Sequence, residues 1–304
     1  MLFAAAHNLS FFRAIVIGLL QGVTELFPVS SLGHSVLIPS LFGWHNLVKG
    51  QAQSESFYLA FLVGLHCGSA LALLWFFRKD WARIIQAFLR TLGKRKAETS
   101  DERLAWLIII ASIPAGVLGL ALEHKLRTVF AKPLAAAAFL TVNGLILLAG
   151  ERVRRRSEVR ALAIREGLEA DGTSRRLDTL DYGEAGVIGV GQSLALLAGI
   201  SRSGVTMVAG LVRGLDHEDA AKFAFLLATP IILAAGVYKL PDLSGHLGDG
   251  IRGQVLAGSI VAALASYMSV RFLTRYFKSR TLTPFAIYCL CAGVFFIFHS
   301  LIYA

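Results

Sequence analysis

Six stretches of this chain are long and apolar enough to cross a lipid bilayer: residues 57 to 77, 104 to 122, 133 to 150, 223 to 240, 254 to 270 and 284 to 303. A spanning helix needs about 20 predominantly apolar residues, with a range of roughly 17 to 25. No other feature narrows the possible folds as much. Composition agrees, since 55% of the 304 residues are hydrophobic and only 16% are charged, with a mean hydropathy of +0.62, outside the range of soluble domains. The third and fifth stretches are the weakest, being short or carrying polar residues such as Asn143 and Ser266.

Two further apolar regions, 11 to 43 and 184 to 214, are interrupted near their middles by Pro, Gly and hydroxyl residues: FPVSSLGHS in the first, AGISRSGVT in the second. Backbone groups freed by such a break cannot face lipid, so the break must be buried in protein or line a wet cavity. Each region is expected to be a re-entrant helix-loop-helix hairpin; the alternative is a single kinked helix. Shifting the chain by 171 positions places Gly18, Gln21, Leu26, Ser30, Gly33 and Gly43 on Gly189, Gln192, Leu197, Ser201, Gly204 and Gly214 without a gap. These matches include the break itself, which points to an internal duplication. Three spans separate the two hairpins, an odd number, so the second must enter from the opposite membrane face. The expected fold is an all-α integral membrane protein of about six spanning helices plus two re-entrant hairpins in an inverted-topology repeat, whose loop tips meet near the midplane. Repeat 1 covers about 11 to 150 and repeat 2 about 183 to 304.

Lys and Arg divide unevenly between the faces. One receives Arg78 to Arg103, the stretch from Arg152 to Arg176, and Arg271 to Arg280; the other has a thinner set that includes Arg13, Lys49, Lys125 and Arg252. The positive-inside rule makes the first face cytoplasmic. Both termini and the first hairpin then open outward, and the second hairpin opens to the cytoplasm. The net charge of +10 is mostly this topological signal and attraction to anionic lipid, not a nucleic-acid surface. Residues 151 to 182 form the one sizeable soluble segment, read as a partly helical basic loop on the lipid surface or a disordered linker. Cys67, Cys289 and Cys291 lack metal-ligand spacing and read as small core residues. The N-terminus has no basic region of the kind that precedes a cleavable signal.

Within QGVTELFPVSSLGHS, Gln21 and Glu25 are four residues apart and share one face of a helix expected to end at Pro28. Ser30 or Ser31 can cap the next helix, with His34 in its first turn. In the second hairpin Ser201, Arg202 and Ser203 precede a short helix expected to start near Gly204, with Thr206 in its first turn. Two helix N-termini and a guanidinium converging at midplane would cradle a phosphate or diphosphate. Glu25 and Arg202 each cost at least ~2.5 to 3.5 kcal/mol in the membrane, so their placement is not incidental; the bland reading is a buried ion pair joining the repeats. His66, His124 and His299 stand alone in the sequence and read as structural or interfacial.

QGVTELFPVSSLGH resembles the first signature of the bacterial undecaprenyl-diphosphate phosphatase family, and GISRSGVT resembles its second, with the hydrophobic layout matching over nearly the whole chain. The resemblance implies a bacterial plasma-membrane enzyme that removes the terminal phosphate of undecaprenyl diphosphate, recycles the lipid carrier for peptidoglycan, and confers bacitracin tolerance. By position it implies Glu25, Ser31, His34 and Arg202 as catalytic residues, with Gln21, Ser30, Ser201, Ser203 and Thr206 in substrate binding. Departures are Ala198 in place of Pro, an inverted Leu26-Phe27 pair, and Gln21 where some members have Glu. The last change leaves Glu25 as the one carboxylate for a metal, so a Mg²⁺ or Ca²⁺ cofactor is expected to arrive through the diphosphate. The expected chemistry is in-line attack on the terminal phosphorus, by Ser31 or by a water directed by His34 and Glu25, with His34 activating the nucleophile. PAP2-type lipid phosphatases fail on spacing, because three spans separate His34 from Arg202 and Val208 stands where their second His would be. A polyprenyl-phosphate flippase is the alternative function, and a homo-oligomer is left open.

Overall fold

The computed structural model describes residues 9–44, 47, 57–94, 96–130, 132–165, 177–244 and 250–303. Eleven helices are used below: α1 Phe11–Thr24, α2 Ser31–Leu41, α3 Phe57–Phe76, α4 Arg78–Lys94, α5 Ser100–Phe130, α6 Pro133–Arg165, α7 Tyr182–Gln192, α8 Arg202–Val212, α9 His217–Ser244, α10 Arg252–Tyr276 and α11 Thr283–Tyr303. Five of them, α5, α6, α9, α10 and α11, contain a stretch long and apolar enough to cross the membrane. Helix α3 makes a sixth when joined to α4 across an 84° bend. Beyond the bend, α4 exposes Ile85, Leu89 and Leu92 on one side and carries Arg83 and Arg90 on another, as expected of a helix lying at the lipid–water interface.

The arms of the two broken regions have 14 and 11 residues in the first and 11 each in the second. At 1.5 Å per residue they reach roughly 16 to 21 Å, short of a hydrocarbon core of about 30 Å. Within each region the arms pack on each other, α1 on α2 and α7 on α8, so both are hairpins. Their breaks differ in detail from the sequence expectation. Helix α1 ends at Thr24, before Pro28, because the chain turns through residues 25 to 29. Helix α8 starts at Arg202, with Ser201 capping it, so the start lies ahead of Gly204.

The hairpins enter from opposite ends of the bundle. Buried Leu9, Leu47, Tyr58 and Ile251 gather the open end of the first hairpin with the starts of α3 and α10. At the other end Arg103 donates to the Leu180 carbonyl (3.2 Å), Lys222 pairs with Asp80 (3.0 Å), His217 meets Glu151 (2.8 Å), and Lys278 pairs with Glu218 (3.6 Å). Helix α4, the starts of α5, α7 and α9 and the α10–α11 turn therefore share one end, which is the Arg- and Lys-rich one. Helix α6 continues to Arg165; the rest of the expected basic loop, residues 166 to 176, lies outside the described residues.

The duplication sets the packing. Helix α1 lies on α10 and α7 lies on α5, while α6 packs on α11 and α3 on α9. A Cβ on Gly18 would sit 3.1 Å from Cα of Gly258, and one on Gly189, its repeat equivalent, 2.9 Å from Cα of Ala111. Small residues at these crossings let backbones approach where lipid gives no hydrophobic drive for association. Among the cysteines, all free, Cys289 is buried and Cys67 half-buried, as expected, whereas Cys291 is exposed on α11.

Candidate active site

The two loop tips cross and tie each other. The Ser30 hydroxyl caps α2 by accepting from Gly33 N (3.2 Å) and also accepts from Gly199 N of the second hairpin (3.2 Å). Ser201 caps α8 through Gly204 N (3.2 Å), and its own N–H donates to Asn143 Oδ1 (2.9 Å). The Asn143 amide then donates to the Pro28 carbonyl (3.0 Å), joining both tips to α6. Ser203 shares a hydrogen bond with Ser201 (3.1 Å) and donates to the Phe27 carbonyl (3.3 Å). Ser30 holds φ +72° to make this turn, a left-handed conformation that a non-glycine residue adopts only where its surroundings enforce it.

This crossing sets Glu25 against Arg202, whose Nη2 donates to Glu25 Oε1. The other carboxylate oxygen accepts from Ser31 Oγ (2.5 Å) and from Gln21 Nε2 (3.0 Å), the neighbour one helical turn earlier. Arg202 also donates through Nη1 to the Ala228 carbonyl (3.2 Å). A cavity of about 230 Å³ opens beside the pair. Glu25, Ser30, Ser31, Ser201, Arg202, His66 and Gln192 form its polar side, and Leu32, Ala115, Leu196, Ile231, Ile232 and Ala235 line the apolar side. Ser31 and Arg202 are the first residues of α2 and α8, so the positive ends of two short helices border the same space.

Of the residues singled out from the sequence, Gln21, Glu25, Ser30, Ser31, Ser201 and Arg202 come together, with Ser203 bound to Ser201. His34 is turned elsewhere. It is 1% exposed, its Nδ1 meets the Ser30 carbonyl at 2.7 Å, and its Nε2 meets the Tyr288 hydroxyl on α11 at 2.8 Å. A carbonyl only accepts, so Nδ1 carries the hydrogen and Nε2 accepts from Tyr288. Thr206 is 1% exposed, and its hydroxyl has no hydrogen-bond partner among the described residues.

Three residues of the assembly were not marked by the sequence reading as functional. His66 on α3, read as an isolated structural histidine, borders the cavity with Nε2 3.5 Å from Glu25 Oε2. An ionisable residue within a span is by default a functional candidate, and that is the signal the sequence carries for His66. Asn143, noted only as a blemish in a span, is the clamp on both tips. Tyr288 gave no signal, being far from His34 in sequence.

The donor set does not suit a metal held by protein alone. Among the described residues no three His, Cys, Asp or Glu side chains gather closely enough, and both oxygens of Glu25 already accept hydrogen bonds. What the arrangement does offer is a hydroxyl bonded to a carboxylate, next to a guanidinium and two helix starts, in a pocket with an apolar wall. Those are the elements for binding and attacking a lipid-borne phosphate.

Comparison with known proteins agrees with this geometry. The family model for bacitracin resistance protein BacA matches residues 14–295. Undecaprenyl-diphosphatase 2 of Frankia alni is 58% identical over an alignment covering 94% of this chain and 97% of the relative. Undecaprenyl-diphosphatase of Mycolicibacterium paratuberculosis is 57% identical, covering 94% and 96%, and undecaprenyl-diphosphatase 2 of Burkholderia ambifaria is 45% identical, covering 95% and 96%. With residues 14–295 matched by the family model and relatives aligned over some 94% of its length, the chain belongs to the BacA family of bacitracin resistance proteins.

Proposed function

We propose that this protein hydrolyses undecaprenyl diphosphate to undecaprenyl phosphate and inorganic phosphate in the bacterial plasma membrane, recycling the carrier for cell-wall synthesis and conferring bacitracin resistance. The observation that carries the reading is the Ser31 hydroxyl bonded to Glu25 beside Arg202, at the crossing of two hairpins inside a membrane bundle. Arg202 and the starts of α2 and α8 receive the terminal phosphate; the apolar wall takes the first units of the prenyl chain. Ser31 Oγ attacks the terminal phosphorus in line and undecaprenyl phosphate leaves; water then releases phosphate from the serine. Charge gathering on the phosphoryl oxygens is met by groups already fixed in place. His34 holds the Ser30 carbonyl and so the turn that presents Ser31; direct action on the nucleophile would require it to leave Tyr288. The divalent cation, Mg²⁺ or Ca²⁺, is assigned to the diphosphate, because Glu25 is already occupied.

The active site faces outward in this reading. Helices α5 and α9 start at the basic end, and the cavity-lining Ala115, Ile231 and Ala235 lie past the middles of their membrane-crossing stretches, Ser100–Leu122 and His217–Tyr238, which supports a cavity on the outer side of the crossing. Purified protein in detergent, where no transmembrane gradient exists, should release phosphate from undecaprenyl diphosphate. Protein that released none, while moving labelled lipid phosphate across liposomes, would be a carrier.

A further inference from the structure

We propose that His66 is the proton acceptor of this site, taking the Ser31 proton by way of Glu25 and returning it when the serine is regenerated. The proposal rests on the serine route described above. His66 Nδ1 lies 2.8 Å from the Leu62 carbonyl, which can only accept, so Nδ1 carries the ring hydrogen. The neutral ring therefore presents a bare lone pair on Nε2. That nitrogen faces Glu25 Oε2 at 3.5 Å, the same oxygen that accepts the Ser31 hydroxyl at 2.5 Å. Serine and imidazole thus meet at one carboxylate oxygen, and the His66 side chain is 29% exposed beside the cavity.

The other imidazole near Ser31 is committed, because His34 has one nitrogen on the Ser30 carbonyl and the other on Tyr288. A proton passed from Ser31 to Glu25 Oε2 has the Nε2 lone pair of His66 beside it. Among the described residues, the polar and charged contacts of His66 are Leu62 and Glu25, and Arg202 acts on it through Glu25. Helix α9 offers Ile231, Ile232 and Ala235 to the cavity and α5 offers Ala115; α4 and α10, also packed on α3, line none of it.

The steps balance. In the first, the Oγ–P bond forms, the bridging P–O bond breaks, undecaprenyl phosphate leaves as a dianion, and the serine proton resides on His66. In the second, water oxygen bonds to phosphorus, the P–Oγ bond breaks, His66 returns its proton to Oγ, and dihydrogen phosphate departs.

The test uses full-length His66→Ala and His66→Gln in detergent, with undecaprenyl diphosphate labelled in the terminal phosphate. Both variants should lose about 10²- to 10³-fold in kcat, within the usual range for acid–base groups, with KM within about threefold of the parent and thermal unfolding unchanged. Rapid quench should show labelled serine forming more slowly by the same factor. Free imidazole should restore part of the rate to His66→Ala and none to His66→Gln. If His66→Ala unfolds, His66→Gln decides by its burst. A burst as fast as the parent's, or a raised KM with kcat kept, overturns the role of His66. No labelled serine in the parent itself overturns the serine route instead.

Discussion

The two hairpins have the same scaffold and different chemistry. At most of the positions where they are identical, the residues do a geometric job: Ser30 and Ser201 cap the inner helices, Gly18 and Gly189 allow close crossings, and Gly43 and Gly214 follow α2 and α8 with φ of +70° and +90°. Gly33 approaches Gly199 while Gly204 approaches Pro28, and residues 28 and 199 are themselves equivalent under the repeat. Where the copies part, the reactive groups appear: Ser31 opposite Arg202, Glu25 opposite Leu196, His34 opposite Val205. The capping serines also part in backbone, φ +72° at Ser30 and −89° at Ser201. On the proposed mechanism the two matching helix starts both face the phosphate, one carrying the nucleophile Ser31 and the other the cation Arg202.

The strongest way to break that division is to remove one side of it. Ser31→Ala should lower phosphate release by about 10³-fold or more, as loss of a nucleophile does, while the variant still protects the protein thermally when undecaprenyl diphosphate is added. Normal turnover would mean that water attacks directly and that the first hairpin only binds. Arg202→Lys keeps the charge but loses the planar fork, and should cost about 10²-fold in kcat/KM. An effect below about threefold would reduce the second hairpin to a point charge.

The fold was legible because its signals are long. Apolar spans, two breaks and matches at an offset of 171 residues point to hairpins and inversion without any contact information, and the spans and hairpins became packed elements. The site was legible where residues lie close in sequence, as with Gln21 and Glu25 one turn apart and Ser31 just past the break, or where a charge stands alone in an apolar run, as with Arg202. It was not legible where distance in sequence hides proximity. The bond of His34 to Tyr288, the clamp by Asn143 and the approach of His66 to Glu25 depend on how α11, α6 and α3 settle against the hairpins. No periodicity encodes that.

The scaffold half of the comparison can be tested at its glycines. A Cβ on Gly33 would meet Cα of Gly199 at 2.9 Å and its nitrogen at 3.1 Å, which is backbone of the other hairpin. One on Gly204 would meet Leu147 Cδ2 at 3.1 Å and Pro28 Cβ at 3.2 Å, which are side chains. Overpacking costs about 1 to 3 kcal/mol, so Gly33→Ala should fall toward the upper end and Gly204→Ala toward the lower, read as thermal unfolding in detergent. Equal losses would show that the crossing yields as easily as its surroundings.

The smallest effect separates the two glutamines. Gln21 and Gln192 occupy the same place in the repeat, yet only Gln21 has a charged partner, donating to Glu25 at 3.0 Å. Gln192 donates to the Ala111 carbonyl at 3.4 Å, and its Oε1 has no partner among the described residues. Hydrogen bonds to charged groups contribute about 1.5 to 3 kcal/mol, whereas removing a buried acceptor that is already unpaired is close to neutral. Gln21→Leu should therefore cost about tenfold or more in phosphate release, and Gln192→Leu less than about threefold, with thermal stability level or slightly higher. If Gln192→Leu instead matches the loss at Gln21, its free oxygen is meeting a donor on the substrate or on an attacking water. The second hairpin would then share in the chemistry, and the copies would be less divided than their sequences suggest.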